Sequence, residues 1–210
     1  IMESAFGTPG QKTARKVSAL SKGWRFLMDV RNIGEKEKWY TENNIWGNAS
    51  EVKVPGAWDL MEDGMWQYEG VGWYKTTIKP EDFLPGKRAE IIFHRVMYYS
   101  KVWLNGEYLG ENIGGYLPFS FDITKYLKPG GDNLLVIRVD NKPKIEWLPA
   151  SGQIEWIQYG GILDPVELVS TAKSYIEDFR VRTYPTEGGA KINCITELAN
   201  ASTDQQELGG

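Results

Sequence analysis

Lys101-Val102-Trp103-Leu104-Asn105-Gly106-Glu107-Tyr108-Leu109 is the stretch whose reading decides the fold. Asn-Gly between two runs of β-forming residues signals a tight hairpin, because both central residues of the favoured two-residue turn need φ > 0. Working outward, Gly72 to Ile78, Ala89 to Val96, Tyr99 to Leu104, Asn133 to Val139 and Ile162 to Val169 read as strands. Lys128-Pro129-Gly130-Gly131-Asp132 supplies a second explicit turn. Gly23 to Asp29 alternates bulky and polar residues, and Glu51 to Val54 does the same before Pro55-Gly56 breaks it. Between them lies a loop with Trp39, Tyr40 and Trp46. Asp122 to Leu127 can make one helical turn capped by Asp122. Strands at this spacing, without crossover helices, predict an all-β antiparallel sandwich or jelly roll rather than a parallel α/β sheet.

Composition agrees with many short strands. Of 210 residues, 9 are Trp, 11 Tyr, 23 Gly and 10 Pro, a mixture that suits turn-rich sheets and fits helical folds poorly. The formal net charge is -4 and the 24 Lys and Arg are spread along the chain, which disfavours nucleic acid as a partner. Cys194 stands alone, so neither an internal disulfide nor a cysteine-based metal framework is expected. His94 is the single histidine and lies within an apparent strand, which makes it a structural residue in this reading and leaves no zinc ligand set or histidine-dependent triad. Calcium held by backbone carbonyls would leave no signature. No apolar run reaches the roughly 18 residues of a membrane span, and Ile1 to Leu20 lacks an apolar signal core. The compartment stays open, with a periplasmic or extracellular setting favoured. Residues 1–19 read as a polar leader, with room for a short helix around Lys12 to Leu20.

After Ser170-Thr171-Ala172-Lys173 the strand pattern restarts, with Tyr175 to Tyr184 and Ala190 to Leu198 as two further strands. Fewer than forty residues remain there, where an immunoglobulin-like domain needs about 100, so residues 172–210 are expected to be the truncated opening of such a domain.

Five motifs then carry a resemblance. Val54-Pro55-Gly56-Ala57-Trp58, Gly72-Trp73-Tyr74, Val102-Trp103-Leu104-Asn105-Gly106, Gly114-Gly115-Tyr116-Leu117-Pro118-Phe119 and Tyr159-Gly160-Gly161-Ile162 follow one another in an order and spacing that resembles family 2 glycoside hydrolases. These include β-galactosidases, β-glucuronidases and β-mannosidases. The resemblance implies that residues 20–171 form the galactose-binding-domain-like jelly roll at the N-terminal end of such an enzyme, the sugar-binding domain. It also implies that an immunoglobulin-like domain and a catalytic barrel belong to the same chain. Two departures from the family pattern are visible: Leu163-Asp164 stands where an aromatic or His and then Arg are usual, and Arg95 stands where Gly is frequent.

Glycoside hydrolysis needs two carboxyl groups about 5 to 9 Å apart. By resemblance both lie in the barrel, so no catalytic residue, cofactor or metal site is assigned to this chain. What the resemblance implies instead is substrate binding: Glu155, just before the Gly-Gly-Ile segment, would accept sugar hydroxyls, and Trp156 beside it would stack on a pyranose face. Glu69, before Gly70-Val71-Gly72-Trp73-Tyr74, is the further candidate. Trp66 and Trp147 could stack on sugar but are read as core. The expected partners are a carbohydrate substrate and the remaining domains of the chain, with self-association left open; the alternative is an autonomous carbohydrate-binding module without an associated hydrolase.

Overall fold

The computed structural model describes residues 15–42, 44–61, 66, 68–147 and 158–200. In chain order the strands are β1 (Lys16–Ala19), β2 (Trp24–Met28), β3 (Ser50–Val52), β4 (Gly56–Ala57), β5 (Val71–Ile78), β6 (Arg88–Phe93) and β7 (Val96–Met97). There follow β8 (Tyr99–Leu104), β9 (Glu107–Ile113), β10 (Phe119–Asp122), β11 (Asn133–Asp140), β12 (Gly161–Ile162), β13 (Val166–Thr171), β14 (Ser174–Thr186) and β15 (Gly189–Asn200). Helical segments among the described residues are 3-10 turns of 3 to 5 residues. The architecture is the all-β sandwich expected.

One layer is a six-stranded antiparallel sheet in the order β3-β2-β5-β11-β8-β9, and the other a four-stranded sheet in the order β1-β13-β6-β10. Period-two alternation decides what lies between them. From β5 and β11, Tyr74, Ile78, Leu135, Ile137 and Val139 enter the same core as Ile91 and Phe93 of β6 and Leu168 of β13. Trp24, Trp58 and Tyr74 are completely buried there, and each ring of this size removes about 150–250 Å² from water, worth roughly 4 to 6 kcal/mol as an upper bound. The opposite face of the six-stranded sheet is also covered. Trp39, Trp46 and Ala49, from the segment between β2 and β3, pack on Trp73 of β5, Trp103 of β8 and Val136 of β11. Asp29 fixes that segment: its carboxylate accepts hydrogen bonds from the backbone of Ile33 at 2.9 Å and Gly34 at 2.8 Å and from Trp73 Nε1 at 3.0 Å.

The deciding turn is as read. Asn105 and Gly106 have φ of 54° and 86°, and β8 pairs with β9 across them. The one-turn element forms as the 3-10 turn Thr124–Tyr126, but the cap is corrected: its N-cap is Ile123, and Asp122 Oδ1 instead accepts Thr124 N at 2.9 Å. The short helix around Lys12 to Leu20 is corrected: within its described part, Lys16–Ala19 is strand β1, paired with β13 in register Lys16↔Ser170. An edge strand offers a row of unpaired amides and carbonyls, and β13 accepts this segment there. Two strands read as continuous are each broken. Ala89 to Val96 divides into β6 and β7, and Ile162 to Val169 into β12 and β13. The short pieces β7 and β12 join β4 in a separate three-stranded sheet, order β4-β12-β7. Residues 174–200 form a two-stranded hairpin whose side chains are largely exposed, including Phe179 and Val181.

Candidate functional site

The three-stranded sheet β4-β12-β7 lies beside the segments that flank the candidate residues. Glu69 is exposed, in the short segment Tyr68–Gly70 that leads into β5. Glu155 and Trp156 lie outside the described residues; the described chain resumes at Gln158 and runs through Gly160 into β12. Both segments rest on the 3-10 turn Trp58–Leu60 that follows β4.

Local sequence explains the fit. Gly160 lies against the Trp58 indole so closely that a Cβ would fall 2.2 Å from its Cε2 atom, so only glycine is compatible. Gly161 has φ of 115°, a left-handed conformation that other residues rarely adopt. Its Cβ would also fall 2.6 Å from the Tyr74 hydroxyl, which complete burial drives far above the usual tyrosine range. Tyr68 meets Trp58 edge-on, with centroids 5.8 Å apart, and its hydroxyl donates to Val71 O at 3.1 Å. Burial raises its pKa, the Val71 bond opposing. The Gly114-Gly115 pair has a packing role at its second member, where a Cβ would meet Met97 Sδ at 2.0 Å.

Trp147 is buried and stacks on Tyr98, centroids 4.5 Å apart and planes 20° from parallel, in a small core with Met97. That is the core role read for it. Trp66, by contrast, is 55% exposed, so the core reading does not hold for that ring. His94 lies in the bend just past β6 rather than within a strand, its Nε2 2.9 Å from Glu167 Oε2 of β13. Among the described residues no group of three or more His, Cys, Asp or Glu side chains is gathered to hold a metal ion.

Sequence reasoning missed the two polar residues that organise this end. Asp59 is 4% exposed and accepts the Gly160 amide at 2.8 Å through Oδ2. Asn141, just past β11, is 5% exposed; its Oδ1 accepts the Gly70 amide at 2.8 Å and its Nδ2 donates to Tyr68 O at 2.9 Å. Asp59 follows the Val-Pro-Gly-Ala-Trp motif and so had a sequence signal. Asn141 had none, since an Asn ending a strand reads as a turn residue.

An antiparallel sandwich of two main sheets, with glycine-dependent segments packed on Trp58, defines the class of jelly-roll β-sandwich domains. Residues 17–172 match the family described as glycosyl hydrolases family 2, sugar binding domain. The chain belongs to glycosyl hydrolase family 2, and these residues are its sugar-binding domain. A β-galactosidase of Thermoanaerobacter pseudethanolicus is 37% identical over 134 residues, 63% of this chain and 18% of that protein. A β-glucuronidase of Paenibacillus borealis is 28% identical over 196 residues, 83% of this chain and 32% of that protein. Among solved structures, a β-glucuronidase from an uncultured Clostridium sp. superposes with a TM-score of 0.76 at 26% identity, covering 92% of this chain and 35% of that one. A Ruminococcus gnavus β-glucuronidase, at 23% identity, shares the fold with a TM-score of 0.80. The chain thus spans a third or less of the curated relatives quoted.

Proposed function

We propose that this domain serves a β-glycosidase by shaping the rim of a sugar pocket whose two catalytic carboxyl groups lie in a barrel of the same full-length protein. Membership of the family supports this, as does the observation that carries it furthest. The segments bearing Glu69 and leading out of the Glu155 region converge on one buried indole, Trp58, at one end of the sandwich. In this reading Glu155 is a recognition residue whose carboxylate accepts hydroxyl hydrogen bonds from the bound sugar, and Glu69 approaches from the adjoining loop. Residues 172–210 belong to the opening of an immunoglobulin-like domain, for which the exposed hairpin β14–β15 and its outward Phe179 and Val181 are the supporting observation. The substrate is a β-galactoside or β-glucuronide, the two classes named for the relatives.

The test is Glu155→Gln in the full-length protein. Loss of charge-assisted hydrogen bonds to the transition state should lower kcat/KM by about 10- to 100-fold, about 1.5 to 3 kcal/mol, with the domain's melting temperature unchanged. Unchanged kcat/KM with every nitrophenyl glycoside that the protein turns over would return Glu155 to the status of an ordinary loop carboxylate.

A further inference from the structure

At the end of the sandwich the chain leaves its ladders, and the backbone there must find hydrogen-bond partners elsewhere. It finds them in side chains that are themselves buried. Asn141 uses both ends of its carboxamide on the segment that carries Glu69, accepting from Gly70 N and donating to Tyr68 O. Its own amide adds a bond to Gly70 O at 3.1 Å. Tyr68 O also receives Trp58 Nε1 at 3.4 Å. On the other flank of the same indole, Gly160 is held through both of its backbone polar groups: its amide by Asp59 Oδ2 at 2.8 Å, its carbonyl by Trp58 N at 3.0 Å. Trp58, fully buried, is the wedge common to both segments.

A carboxylate and a carboxamide are costly to bury where an aliphatic side chain would fill the same space, so their presence here calls for a directional task. We propose that Asp59 and Asn141 are positioning residues, which with Trp58 between them lock the Glu69 segment and the Gly160 segment into a single rigid unit. Glu69 and the Gly160 end of the neighbouring segment are then held in one mutual arrangement. This rests on the reading of Glu155 and Glu69 as sugar-facing. Neither Asp59 nor Asn141 touches substrate; each acts through the backbone it holds.

The variants are Asn141→Ala, Asn141→Asp, Asp59→Ala and Asp59→Asn, compared with Glu155→Gln in the full-length protein on nitrophenyl β-galactoside and β-glucuronide. Kinetics are run well below each variant's melting temperature, with folding checked by circular dichroism. Asn141→Ala and Asp59→Ala should lower kcat/KM about 10- to 100-fold, the scale of a small misplacement of contacting groups. Amide exchange at Gly70 should accelerate in the first and at Gly160 in the second, while the amides of β11 keep their wild-type rates. Asp59→Asn retains an acceptor for Gly160 and should recover most of the activity. Asn141→Asp keeps the shape but sets an acceptor against Tyr68 O, so it should fold and show the same loss of kcat/KM, which keeps the test available if Asn141→Ala does not fold. Folded variants with wild-type kcat/KM, beside a Glu155→Gln protein that has lost activity, would overturn the clamp and leave the site reading intact. A silent Glu155→Gln would overturn both.

Discussion

Glu111, on the exposed edge strand β9, receives two phenolic hydrogen bonds on one oxygen, from Tyr99 at 2.7 Å and Tyr108 at 3.0 Å. These bonds favour its charged form and lower its pKa, Tyr99 being the larger cause. They oppose ionisation of the donors: burial first and then the Glu111 bond push Tyr108 up to about 12 and raise Tyr99 further. For the depressed Glu111 the contribution to stability is present above the ordinary carboxylate range and is lost as pH falls through its lowered value. For the raised tyrosines it is complete below their ordinary value near 10 and is lost as pH rises beyond it. Titration of tyrosinate absorbance should therefore show late-ionising groups. Glu111→Gln should bring the Tyr108 midpoint down toward 10, without reaching it because burial remains, and should flatten the stability profile at both extremes. An unchanged titration in Glu111→Gln would show that burial alone raises these hydroxyls. Nothing in the sequence announced this cluster, since Tyr99 and Glu111 meet only when β8 and β9 pair.

Among the elements, the hairpin at Asn105–Gly106 does more than reverse the chain. Asn105 Nδ2 donates to Tyr126 O and Asn133 Oδ1, both at 2.9 Å, and its Oδ1 accepts Leu134 N at 3.0 Å. The turn between β8 and β9 is thereby stitched to the start of β11. Asn105→Ala removes these bonds and the residue's tolerance of positive φ together, and should destabilise the domain by about 2 to 4 kcal/mol in denaturant unfolding. A loss below about 0.5 kcal/mol would mean that the turn is held by its strands alone. The hairpin was legible because Asn-Gly is a local signal. The two strand breaks were not. Leu163 and Asp164 both donate their amides to Arg95 O, at 2.9 and 3.3 Å, so the two strands leave their sheet at the same level. Arg95 Nε lies 3.1 Å from Asp164 Oδ2. The two departures from the family pattern are thus one ion pair at that bend, a relation that a separation of 69 residues concealed.

For the whole molecule, the sandwich supplies a rigid end on which loops are fixed, and the proposed chemistry belongs to a barrel beyond the 210 residues. In the proposed reading the chain by itself should fold and yet leave nitrophenyl β-galactoside and β-glucuronide intact, its part being recognition and not the paired acid and nucleophile. Turnover by the purified chain, abolished by a substitution within it, would overturn that division of labour. The exposed apolar residues of β14–β15 fit the same picture, since a two-stranded hairpin has no second layer in which to bury them.

By itself the sequence determined the all-β class, the deciding hairpin, most of the long strands and the family, because period-two alternation, Asn-Gly turns and glycine-bearing motifs are local properties that survive reading in one dimension. It marked Glu69, Glu155 and Trp156 only through resemblance. The tertiary structure alone decided that Lys16–Ala19 is a strand, that β6 ends and β13 begins where they do, and that Asp59 holds Gly160 while Asn141 holds Tyr68 and Gly70. Each of those outcomes depends on a partner distant in sequence: β13 across about 150 residues, Arg95 with Asp164, Asn141 with Gly70. Hydrogen bonds that a backbone fails to find in its own ladder are completed by whatever the fold brings within reach, and that proximity exists only once the sheets have closed.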